Sequence, residues 1–224
     1  MTLQLENGKK VSEQQEILNC IRQYYQNLFN NKDNEIEETD LFKVIDETQV
    51  SKISISDMGR AISIQELSIV LKKMKNNKTP GIDGISSEFL KVFWEKLKHL
   101  ICRAINTCYA KGQMSPSMRQ CIITCLPKGN KDRKFIKNWR PISLLSSVYK
   151  LMSGVIANRL KATLDTVISS TQTGFLSGRQ ISDNTRLIYD IMQTAEIKNL
   201  EGMLMLIDFE KAFDSISWNF MYEV

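Results

Sequence analysis

Two short apolar runs interrupt a chain that otherwise repeats with helical spacing. Residues 120–126 (QCIITCL) and 203–207 (MLMLI) are too short for buried helices. Bounded by polar and glycine-containing stretches, they read as buried strands. Helical periodicity comes first along the chain, and the two runs then alternate with further helices. That order predicts an α/β or α+β body with a helical appendage in front. At 224 residues there is room for one large domain or two small ones, with a sizeable core.

The helices have legible ends. Ser12 and Gln15 fit a capping box, and Ile17, Ile21, Tyr24 and Leu28 follow at helical spacing. Residues 30–40 (NNKDNEIEETD) are polar and acidic and read as a linker. Ser63 with Glu66 makes a clearer capping box, with Ile62 and Leu67 as a hydrophobic staple. Leu67, Val70, Leu71 and Met74 continue that helix until the breaker run 76–84 (NNKTPGIDG). A third helix is expected to line one face with Phe89, Phe93, Leu97, Leu100 or Ile101, Ala104 or Ile105, and Cys108, and to end at Gly112. Residues 144–166 repeat at three and four through Val148, Met152, Val155 and Leu160. After Gly174 and Gly178, Asp183 is the expected N-cap of a helix running to about Lys198.

The net charge of +5 conceals an asymmetry. Residues 1–70 carry 7 Lys/Arg against 12 Asp/Glu, whereas residues 71–224 carry 23 against 13. A basic body fits a polyanionic partner or a solvated lysine surface, and charge alone does not choose. No apolar run approaches the ~20 residues of a membrane span, and the N-terminus does not read as a signal peptide. Five cysteines without a C-x-x-C fit reduced thiols in a nuclear or cytoplasmic, non-secreted setting. The single histidine, His99, disfavours a Ser-His-Asp hydrolase or a histidine-based metal cluster.

Three places could carry chemistry. Asp208 follows directly on the run 203–207, where a carboxylate suits a hard cation such as magnesium. It equally suits the N-cap of a helix beginning at Phe209, and spacing by itself favours the cap. Lys128, Lys131, Arg133, Lys134, Lys137 and Arg140 cluster within thirteen residues around Trp139, against the one acid Asp132. Basic residues with an aromatic among them suit phosphates and nucleic acid, although an exposed lysine-rich hairpin tip would look similar. Residues 172–179 (QTGFLSGR) form a glycine-punctuated loop with one arginine, which is not a P-loop.

Four segments in order resemble a reverse transcriptase of the non-LTR (LINE-type) retrotransposon class. They are 77–84 (NKTPGIDG), 126–128 (LPK) with 138–145 (NWRPISLL), 172–179 with Asp183 and Asn184, and 208–214 (DFEKAFD). Residues 1–75, with QYYQNLF at 23–29, are similar to the extension preceding such polymerases. The resemblance implies an α+β, partial right-hand polymerase fold, with fingers and an incomplete palm preceded by an acidic helical extension. It places a helical extension or linker at 1–60 and the polymerase domain at 61–224. Lys128 and Arg140 would bind the triphosphate of an incoming dNTP, and Phe213 would sit beneath its sugar. Asp208 and the carbonyl of Phe209 would hold two Mg2+ ions for nucleotidyl transfer. Gly174, Phe175, Gly178 and Arg179 would touch the RNA template, with a DNA primer as the other partner. Asp214 reads as a structural cap.

The family's paired aspartates have no counterpart here: the chain ends sixteen residues after Asp208 and contains no Asp-Asp. One aspartate does not hold two divalent ions. The expectation is a reverse transcriptase fragment that does not polymerise by itself. The competing readings are a non-catalytic RNA-binding module and a decayed element remnant.

Overall fold

A computed structural model describes residues 2–5, 8–29 and 58–209. The chain divides into two compact units. Of the described residues, the first takes 2–5, 8–29, 123–143 and 206–209, and the second takes 58–122 and 144–205.

The first unit begins with a small antiparallel ladder, β1 (Leu3–Gln4) on β2 (Lys10–Val11), which the residue pattern did not announce. Helix α1 (Gln14–Phe29) follows. It starts two residues after the expected cap, and the Ser12 hydroxyl lies 3.5 Å from that of Thr2. Leu3, Val11 and Ile17 form this unit's buried cluster. Tyr25 is also buried, between the rings of Tyr24 and Phe29.

The second unit is helical. Helix α2 (Ile64–Lys73) starts as expected: Ser63 Oγ accepts the Glu66 N–H, and the Glu66 carboxylate accepts the Ser63 N–H. The expected third helix is two, α3 (Ser87–Val92) and α4 (Trp94–Ala110), broken at Phe93. The break turns Phe89 and Phe93 outward against each other, ring centroids 4.8 Å apart, and Trp94, Ile101 and Ile105 take the buried positions. Gly112, at φ +60°, closes α4 through its N–H to the Tyr109 carbonyl. A short α5 (Pro116–Arg119) ends this stretch, and the chain returns to the first unit, where β3 (Ile122–Pro127) pairs with β4 (Trp139–Leu144). Helix α6 (Ser147–Val167) is capped by Ser146, and α7 (Ile181–Ile197) begins before Asp183, with Gln180 at its N-cap position. The core of the second unit joins Leu67, Val70 and Leu71 of α2 to Leu151, Met152 and Val155 of α6.

Neither apolar run is a buried strand. Residues 120–126 contribute β3, but a two-stranded ribbon leaves its faces open, so Ile122, Ile123 and Leu126 are exposed. Residues 203–207 form no strand; Met203 is 84% and Leu206 81% exposed. An extended segment becomes a strand only by pairing, and among the described residues no edge pairs with it.

Helices α2 and α6 cross where Gly154 faces Val70: a Cβ on Gly154 would lie 2.7 Å from Val70 Cγ1. In an open helix, alanine would be preferred to glycine by about 1 kcal/mol. Here the overlap outweighs that preference, so Gly154→Ala is expected to destabilise. Shortening Val70 removes the obstacle. In a Val70→Ala background, Gly154→Ala should therefore stabilise, by up to about 1 kcal/mol in urea denaturation.

Candidate nucleic-acid interface

The basic cluster is a built hairpin. Eleven residues, 128–138, join β3 to β4, too few for the crossover that parallel strands need. The Lys128 N–H extends the ladder to the Asn138 carbonyl at 2.8 Å. The loop is then closed from within. Asp132 Oδ1 accepts the Lys134 N–H at 2.9 Å, and Asn138 Nδ2 donates to the Asp132 carbonyl at 2.8 Å. The indole of Trp139 donates to the Arg133 carbonyl at 2.9 Å. A short 3-10 turn, Ile136–Asn138, completes it. The Gln4 N–H holds the Lys134 carbonyl at 2.7 Å, tying the loop to β1.

This framework fixes where the cations stand. Lys128 Nζ donates to the Lys137 carbonyl at 2.9 Å and stays half-buried. Lys137 Nζ lies 5.9 Å from the centre of the Phe135 ring. Arg140 is exposed and forms no ion pair among the described residues. The one acid of the cluster, Asp132, is engaged by a backbone N–H, so it neutralises no lysine through an ion pair.

Asp208 belongs to the same unit as the hairpin. It is exposed, with no ion pair among the described residues. Phe213 and Asp214 lie outside the described residues. Among those described, no three His, Cys, Asp or Glu side chains are grouped to hold a metal. Asp208 with the Phe209 carbonyl is too small a donor set for two Mg2+ ions, so no chemical step is derived through them.

The glycine loop lies in the second unit. Phe175, at φ +64°, is 99% exposed, while Thr173 and Leu176 on either side of Gly174–Phe175 are buried and anchor it. Gly178 takes φ +82°, which glycine adopts without strain. The Arg179 guanidinium turns back on its own loop, donating to the carbonyls of Ile168, Ser169 and Gln172. It thereby closes the C-terminal end of α6.

The breaker run 77–84 also has a structural partner. Gly81 packs directly on the backbone of Leu145 and Ser146, and Ser147 Oγ donates to the Ile85 carbonyl at 2.7 Å. Two motifs far apart in the chain thus meet at the start of α6.

Arg159 escaped the reading of the sequence. Its guanidinium grips both oxygens of Glu66, at 2.8 and 3.0 Å, and donates to the carbonyls of Met58, Arg60 and Ala61. The signal was available: Arg159 stands four residues after the buried Val155, on the apolar stripe of α6.

The described residues thus form a helix-rich α+β protein that carries an ordered, strongly basic hairpin. Residues 126–224 match the family model for reverse transcriptase (RNA-dependent DNA polymerase). A Xenopus laevis protein, "Transposon TX1 uncharacterized 149 kDa protein", is 34% identical over 220 residues, covering 96% of this chain and 16% of the relative. The "Probable RNA-directed DNA polymerase from transposon BS" of Drosophila melanogaster is 24% identical over 212 residues, covering 93% and 23%. The "Retrovirus-related Pol polyprotein from type-1 retrotransposable element R1" of Bradysia coprophila is 26% identical over 159 residues, covering 70% and 16%. The chain belongs to the reverse transcriptases of non-LTR, LINE-type retrotransposons, and it spans less than a quarter of the length of these relatives.

Proposed function

We propose that this chain supplies the nucleotide- and template-binding part of an RNA-directed DNA polymerase. In this reading the β3–β4 hairpin is the fingers element and residues 203–209 begin the palm. The ordered basic hairpin carries the proposal: its loop is closed by its own hydrogen bonds while Arg140 stays exposed and without an ion pair. Fixed cations stabilise phosphate charge without reorganising during the reaction. Lys128 and Arg140 are assigned to the triphosphate of the incoming dNTP. Phe175 offers an exposed ring to a template base, and Gly174 and Gly178 let backbone approach the strand. Arg179 supports that loop from within.

Divalent-metal chemistry is implied by the family. Asp208 is assigned as one ligand of Mg2+, with further carboxylates required to complete a two-ion site. The role assigned to this chain by itself is binding of RNA template, primer and dNTP rather than turnover.

The test is salt-dependent binding of a labelled single-stranded RNA. The Lys128→Ala/Arg140→Ala double variant should bind about tenfold more weakly, with a flatter dependence on salt. Phe175→Ala should lose roughly tenfold or more, since stacking contributes about 1–3 kcal/mol per base. Thermal midpoints should stay unchanged for Phe175→Ala, whose side chain supports nothing. An absence of RNA binding at low salt would sink the reading, as would unaltered binding by all of these variants.

A further inference from the structure

A second set of cations surrounds a pocket of about 260 Å3 in the second unit. Lys75 and Lys78 reach it from the connection between α2 and α3, and Lys150 from the first turn of α6. Thr79, Ser87 and Ser147 supply hydroxyl groups to the lining. None of the three lysines forms an ion pair among the described residues.

The local acid does not neutralise them by pairing. Glu88 accepts the backbone N–H of Asn77 and the hydroxyl of Ser87. The remaining lysine nearby, Lys91, is committed to the Met74 carbonyl and to Asn76 Oδ1, both at 2.6 Å. That clamp closes the C-terminal end of α2 and holds the chain carrying Lys75 in place. On the opposite wall, Gly81 against Leu145 and Ser146, with Ser147 Oγ bonded to Ile85, holds the loop to α6. The pocket is therefore braced on both sides, and its three lysines outnumber the one nearby carboxylate, Glu88. It also includes the start of a 21-residue helix, whose dipole favours an anion there.

Size narrows the ligand. Small-molecule sites run to about 300–1,000 Å3, so this one suits a phosphate group better than a whole nucleotide. Lysine is a point-charge phosphate binder, and the Thr79 hydroxyl can add a donor, whereas those of Ser87 and Ser147 already donate to the carbonyls of Lys75 and Ile85. We propose that Lys75, Lys78 and Lys150 seat a backbone phosphodiester of single-stranded RNA in this pocket. The contact belongs to the second unit and is additional to the basic hairpin. It deepens the function proposed above and rests on that reading.

The experiment is fluorescence anisotropy of a labelled single-stranded oligoribonucleotide over a series of salt concentrations. The Lys75→Ala/Lys78→Ala/Lys150→Ala variant should weaken binding about tenfold at low salt. It should also flatten the log–log salt slope by about 0.7, the contribution of one neutralised phosphate of a single strand. A control variant, Lys96→Ala/Lys111→Ala/Lys161→Ala, removes the same charge away from the pocket lining and should keep the parental slope. The corresponding Lys→Arg triple at the pocket should bind nearly as the parent does, which separates lost charge from a damaged fold. Equal slopes for the pocket and control variants would overturn the pocket while leaving the proposed function standing. No binding by the parent chain would overturn that function itself.

Discussion

Replacing Arg159 with alanine should cost the second unit about 3 kcal/mol, the lower end of the range for removing one partner of a buried ion pair, because this pair is part-buried. The guanidinium is only 8% exposed and makes five hydrogen bonds. Truncation leaves the half-buried Glu66 carboxylate without its bidentate partner and the carbonyls of Met58, Arg60 and Ala61 without their shared donor. An exposed ion pair would contribute at most about 1 kcal/mol, so the burial and the three carbonyls decide the size of the effect. Arg159→Lys keeps the charge but not the planar fork and should recover less than half of the loss. Urea denaturation at neutral pH measures both.

The same contact makes stability depend on acid. The Arg159 guanidinium, assisted by the N–H and hydroxyl of Ser63, lowers the Glu66 carboxyl from 4.5 to about 2. A depressed carboxylate stabilises the fold above its unfolded value and loses that contribution as it is protonated. The stabilisation is therefore complete above about pH 5 and falls away between pH 4.5 and pH 2. The gap between parent and Arg159→Ala should narrow over that window without closing, because the bonds to the three carbonyls do not titrate. Glu66→Gln should flatten the parent's acid limb in the same range. A gap that stays constant from pH 6 to pH 2 would refute the assignment.

Gly81→Ala is the second large effect. An added Cβ would lie 2.5 Å from the Ser146 nitrogen and 2.6 and 2.8 Å from the Leu145 carbonyl carbon and oxygen. Those atoms are backbone at the N-cap of α6, so no rotamer change relieves the overlap. Either the loop 77–84 or the first turn of α6 must shift. Overpacking of this kind costs about 3 kcal/mol, or roughly 9 °C in thermal midpoint for a chain of this size. Ser146 is buried and caps α6 by accepting the Tyr149 N–H, so the displaced turn loses its cap as well. A melting curve of Gly81→Ala beside Gly84→Ala separates causes. Gly84 has open space around its Cβ position but takes φ +68°, so its substitution reports backbone strain alone.

Features set within a few residues were legible in advance. The Ser63–Glu66 box, the stop in the run 76–84 and the glycine end of α4 each depend on near neighbours, whereas the strand β4 was not read from the sequence. The four ordered motifs gave the family because they preserve chemistry at recognisable spacing. Phe89 and Phe93 were misplaced because their spacing is helical, whereas the break at Phe93 is decided by how Trp94 enters the core. Asp208 was legible as a candidate carboxylate, but its spacing did not reveal that residues 203–207 would lack a strand partner.

The sequence by itself determined where α2 begins and stops, where α4 ends, where positive charge concentrates and which family the chain belongs to. Those follow from capping, steric limits on the backbone and side-chain chemistry, all readable in order along the chain. Only the tertiary structure decided that the apolar run 203–207 has no strand partner among the described residues, that Arg159 meets Glu66 across 93 residues, and that Gly81 must be glycine. It also decided that Lys75, Lys78 and Lys150 share one pocket. The physical reason is common to all four. Pairing, close approach and summed charge depend on which surfaces meet, and a one-dimensional pattern carries each residue's preference without its distant neighbour.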